Sequence, residues 1–150
     1  MKMITRSKLT LAVAALGLMM ATPVLAQKSA AEPGIYWNVQ DIFIEPGHTE
    51  QYIDFLRDRV MKECAFSISK GYLVGCKVLA NVNKRMHEPD LFIVRMFKEM
   101  PSVAEQKRRD DEYSAMVKMD DHQMDADSGA RTPIRKLGDN TLLQELNFSK

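Results

Sequence analysis

Two apolar runs joined by a short polar loop constrain this chain most. Leu91-Phe92-Ile93-Val94-Arg95-Met96-Phe97 carries a single polar residue, and Tyr72–Val82 is rich in apolar and β-branched positions. Runs of this length and composition read as strands. Successive side chains of a strand point to opposite faces. Phe92, Val94 and Met96 therefore share one face, and Leu91, Ile93 and Phe97 share the other with Arg95. In the partner run, Val74, Cys76, Val78, Ala80 and Val82 oppose Leu73, Gly75, Lys77, Leu79 and Asn81. Asn83–Pro89 is polar and turn-rich, so the two runs predict an antiparallel hairpin. Both of its faces are apolar. An antiparallel sheet with one side in water is polar on that side, so this chain needs cover on both.

The surrounding segments supply half of that cover. Tyr36–Ile44 reads as a strand, and Pro46-Gly47 ends it. Thr49 is placed to cap a helix running to Cys64, with Tyr52, Ile53, Leu56, Val60 and Cys64 on one stripe. Pro101-Ser102 opens a second, strongly charged helix reaching about Met119. Asp120–Lys136 reads as acidic and then loop-like, and Thr141–Phe148 as a last strand. The order β-α-β-β-α-β predicts an α+β fold of ferredoxin-like topology: a four-stranded antiparallel sheet with two helices on one face. The simplest cover for the other face is a second copy, so a homodimer through the sheets is expected.

The chain opens on Lys2, Arg6 and Lys8, an apolar run from Leu9 to Met20, and Val24-Leu25-Ala26 after Pro23. This is the pattern of a cleaved export signal over residues 1–26. The apolar run is shorter than the ~20 residues that span a bilayer, so no membrane insertion is expected after cleavage. Gln27–Gly34 reads as a flexible leader, and residues 35–150 as one domain. Export places the product in the periplasm of a Gram-negative cell, or outside the cell otherwise. The full chain has 21 basic and 20 acidic residues. The signal carries three of the basic ones, leaving 18 against 20 and a net charge near −2. That balance gives no electrostatic case for nucleic acid.

Cys64 and Cys76 both lie after the signal. An oxidising compartment permits a disulfide between them, and two separately buried thiols are the other reading. Tyr36, Asn38 and Gln40 share a strand face with Ile42 and are candidates for orienting a small ligand in a helix–sheet cleft. Asp110 falls on the same side of the second helix as Val103 and Val117, so it is a candidate for the same cleft. His48, His87 and His122 lack metal-ligand spacing. Met116, Met119, His122 and Met124 are soft donors suited to copper, but they mix with hard carboxylates and fit an ordinary helix face, so no metal site is assigned. No nucleophile elbow, P-loop or dinucleotide fingerprint is present.

The strand ending Phe43-Ile44-Glu45-Pro46-Gly47, the helix with Tyr52, Phe55 and Leu56, the hairpin strand Phe92–Phe97 and the Met100-Pro101-Ser102 helix start together resemble the dimeric α/β-barrel superfamily. In it two ferredoxin-like subunits pair sheet to sheet. It includes antibiotic-biosynthesis-type and heme-degrading monooxygenases, muconolactone-isomerase-like enzymes and stress-induced proteins. The resemblance implies a ligand site between sheet and helices. Heme-degrading members use an Asn on the first strand and a His on the second helix. Asn38 matches the first. Glu105-Gln106-Lys107-Arg108-Arg109 offers no His for the second, so the resemblance implies no heme ligation of that kind and leaves the cofactor unknown. Two expectations follow: a small-ligand or partner-binding module of the cell envelope, or a small monooxygenase- or isomerase-like enzyme acting on an apolar or aromatic molecule.

Overall fold

A computed structural model describes residues 29–148, so the proposed export signal lies outside the described residues. Four antiparallel strands, β1 (Ala31–Ile44), β2 (Gly75–Ala80), β3 (Leu91–Phe97) and β4 (Arg135–Phe148), form one sheet in the order β2-β3-β1-β4. The first helical unit is α1 (Thr49–Phe55), a π-helical turn (Leu56–Val60) and α2 (Met61–Ser69). Two further helices, α3 (Val103–Val117) and α4 (Asp121–Ala130), precede β4. The fold is α+β.

The π turn has a sequence cause. Tyr52, Leu56, Val60 and Cys64 are all buried and all four residues apart. Side chains at that spacing drift about 40° per step on a regular α-helix, so the stripe would slide off the sheet. A π turn admits an extra residue and cancels the drift. The four side chains stay on Ile42, Leu91, Ile93 and Ile134 and make the core with them. Ile53, one step off the stripe, is exposed.

α2 ends at Gly71, with φ +75°. The Tyr72 N–H donates to Ser67 O and the Gly71 N–H to Ile68 O. This is the left-handed closure that a C-terminal glycine permits. It holds the chain in a tight corner through Leu73, so β2 begins at Gly75 rather than at Tyr72. Gly75 also lies where a Cβ would stand 2.6 Å from the Met96 Cε.

Three segments differ from expectation. β1 starts at Ala31, inside the expected leader, because β4 offers Leu146–Phe148 as a pairing edge. Gly34 fits there because a Cβ would lie 2.7 Å from Glu145 Cβ. Asp120–Lys136 is not simply a loop. Asp120 and Gln123 form a reciprocal capping box that starts α4. β4 then begins at Arg135 rather than at Thr141, with Gly138 packed under Phe43.

Cys64 and Cys76 are joined as a disulfide across a Cα–Cα distance of 5.9 Å, tying α2 to β2. The bridge spans 12 residues of sequence, and closing a loop of that size contributes about 3 kcal/mol in the chain-entropy model. The unreduced, denatured protein should show no alkylatable thiol. A Cys64→Ala/Cys76→Ala variant should lose about 3 kcal/mol in urea unfolding. Two reactive thiols in the unreduced chain would rule the bridge out.

Candidate functional site

The helical elements cover the sheet face that carries Ile42 and Ile93, and they do so incompletely. Toward the Tyr36–Phe97 end, a cleft of about 330 Å³ opens between sheet, α2 and α3. Its floor is Asn38, Arg95 and Phe97. α2 and the corner after it supply Glu63, Phe66, Ser67, Tyr72 and Leu73, and α3 supplies Gln106, Arg109, Asp110 and Tyr113. Ser102 caps α3 by accepting from the Glu105 N–H.

Asn38 and Arg95 are cross-strand partners on the floor. Arg95 Nη2 donates to Glu63 Oε1 at 3.2 Å, and both side chains are largely shielded. That charge is therefore spoken for. The Asn38 side-chain amide forms no hydrogen bond among the described residues. Asn38 is half-buried, so its amide keeps a donor and an acceptor available at the base of the cleft. Around it stand Phe66, Tyr72, Phe97 and Tyr113. Small-molecule pockets combine apolar and aromatic lining with placed polar groups, and here four aromatic rings stand with the charged side chains of Glu63, Arg95, Arg109 and Asp110.

The α3 wall is held by charge. Tyr72 donates its hydroxyl to Glu112 Oε2 at 2.9 Å and accepts from Arg108 Nη1 at 3.1 Å. The Arg109 guanidinium lies 4.4 Å from the Tyr72 ring centroid. Lys70 Nζ reaches Glu112 at 3.0 Å, and Arg108 pairs with Glu112 and with Glu105. Hydrogen bonds from Lys70 and Tyr72 hold the Glu112 carboxyl below its ordinary range. Those from Arg108 and Arg109 bring Glu105 down to about 2.

Of the four residues read from the sequence, the cleft brings Asn38 and Asp110 together. Asp110 Oδ1 accepts from Gln106 Nε2 at 2.7 Å, one helical turn away. Tyr36 does not line the cleft; it stands beside the floor on the same sheet face, stacked on Phe97 with centroids 5.6 Å apart. Gln40 lies elsewhere: its amide donates to the carbonyls of Gly138 and Asp139 where β1 and β4 shift register. Among the lining residues that the sequence reading missed are the polar and aromatic Arg95, Glu63, Tyr72 and Arg109. Arg95 carried a signal, as the one charge in the apolar β3 run. The Met119 sulfur faces Arg59 Nη2 at 3.2 Å, and among the described residues no group of three or more His, Cys, Asp or Glu converges. No protein-family model, curated protein or solved structure matches this chain.

Proposed function

We propose that the chain is an exported module that binds a small, largely apolar or aromatic molecule in the cleft between sheet and helices. The observation carrying this reading is the unpaired Asn38 amide at the base of an aromatic-lined cleft whose floor charge is already neutralised. The cleft's size suits a ligand at the small end of the usual range of about 300–1,000 Å³. Export rests on the amino-terminal pattern of residues 1–26. The sheet order β2-β3-β1-β4 is consistent with a ferredoxin-like topology and with sheet-to-sheet pairing as a dimeric α/β barrel. A small monooxygenase- or isomerase-like enzyme is the second reading, favoured by Asp110 sharing the cleft with Asn38.

Native mass spectrometry of the mature protein, purified from the cell envelope, tests the binding reading. The expected result is an organic adduct of one small molecule per chain. Asn38→Ala should weaken its retention about tenfold, the effect of losing roughly one well-placed hydrogen bond. An empty protein that also fails to bind any member of a small-aromatic panel would sink the proposal.

A further inference from the structure

The first helical unit and α3 are attached to the sheet by different physics. The first buries Tyr52, Leu56, Val60 and Cys64 almost completely. Neither α3 nor α4 buries a residue, and Val103, the first residue of α3, is 90 % exposed. Instead α3 is tethered at two points. At the cleft mouth, Tyr72 engages Glu112, Arg108 and Arg109. Next along the helix, Arg59 donates to the Tyr113 hydroxyl at 3.4 Å and contacts the sulfur of Met119, just past the helix end. Polar and ionic contacts near the surface exchange readily with water and are screened by salt.

α4 is held to the body from three directions: Arg59 pairs with Asp127 at 3.8 Å, the Arg131 guanidinium lies 4.2 Å from the Phe55 centroid, and Arg135 donates to the Ser128 hydroxyl. Between α3 and α4 the chain bends at Lys118, a non-glycine residue at φ 56°. A helix without a buried face, spanning an open cleft, latched along its second half and bent just past its C-terminus, belongs to the low-stability part of a fold.

We propose that α3 is a lid over the cleft, latched by Tyr72 and opening about the Lys118 bend while α4 stays in place. This deepens the binding reading only in naming what the lid would enclose; the opening itself belongs to the chain and is measured without ligand. The Tyr72 latch lies on the same corner that Gly71 turns, so the end of α2 positions it directly opposite α3.

Hydrogen exchange by mass spectrometry on the mature protein tests the lid. Amides of 103–117 should exchange at least about tenfold faster than those of 52–64. Raising NaCl from about 20 mM to about 0.5 M should speed them severalfold further while leaving 52–64 unchanged. Tyr72→Ala should do the same at low salt. Glu112→Gln, which keeps the ring and cannot misfold the corner, should give a smaller change in the same direction. Protection of α3 equal to that of 52–64 would overturn the proposal, as would exchange indifferent to salt and to both substitutions. Rapid salt-sensitive exchange in a protein that binds no aromatic probe would leave the lid standing and remove the binding reading; a ligand that binds while α3 stays as protected as 52–64 would do the reverse.

Discussion

Tyr52→Ala is expected to lower the unfolding free energy by about 4 kcal/mol, within the range for truncating a large buried aromatic. Tyr52 is 1 % exposed and belongs to the same buried cluster as Leu56, Val60 and Cys64. Its ring packs 5.5 Å from that of Phe55. Burial raises its hydroxyl pKa, and the positive charge of Arg135, itself buried, opposes that rise. The alanine variant thus opens a cavity and removes the hydroxyl that stands near a buried guanidinium. Tyr52→Phe separates the two effects. It keeps the ring and removes only the hydroxyl, so it should cost about 1 kcal/mol or less. Urea midpoints read at constant slope measure both. A phenylalanine variant as unstable as the alanine one would show that the polar contact, not ring packing, dominates; two near-neutral variants would contradict the core assignment.

The parts of the fold legible in the sequence were those with strong periodicity. β3 runs over Leu91–Phe97 as its apolar alternation predicts, and the Tyr52–Cys64 stripe is the buried face of the first helical unit. The unbroken four-residue spacing of that stripe also encoded the π turn, because only an under-wound helix keeps such a stripe on one side. α4 was less visible because it buries nothing. Its signal was the Asp120–Gln123 capping box, a local hydrogen-bond pattern rather than a hydrophobic one. The ends of β1 and β4 were hidden for a related reason. Ala31–Gly34 has no strand propensity of its own and is extended because β4 supplies the partner.

The candidate site divides the same way. Asn38 was readable from its place on a strand face shared with Tyr36, Gln40 and Ile42. Which polar groups would stand unpaired was not readable, because pairing is decided across elements far apart in sequence. Glu63 neutralises Arg95 from 32 positions away, and Glu112 meets Tyr72 from 40. Gln40 had the same sequence credentials as Asn38, yet the β1–β4 register shift gives it carbonyl partners and removes it from the cleft.

Val94→Asp should be the most damaging single change on the other side of the sheet, with a loss of at least about 3 kcal/mol for a charge placed in a desolvated site. Val94 is 2 % exposed, although it alternates away from the core residues Leu91 and Ile93. Val39 and Lys77 flank it in register and shield it within the sheet. Around this centre the face is apolar and open: Leu79 is 46 % exposed and Leu143 52 %. The proposed second copy would cover that rim. Leu79→Glu tests the dimer without attacking the shielded centre, because the new carboxylate can stay in water in a monomer and cannot in a sheet-to-sheet pair. The proposed dimer should elute at twice the chain mass, with a melting temperature that rises with protein concentration. Leu79→Glu should elute as a monomer and lose that concentration dependence. A Leu79→Glu protein unchanged in elution and melting would show that no copy packs there, and the apolar rim would then need a different partner.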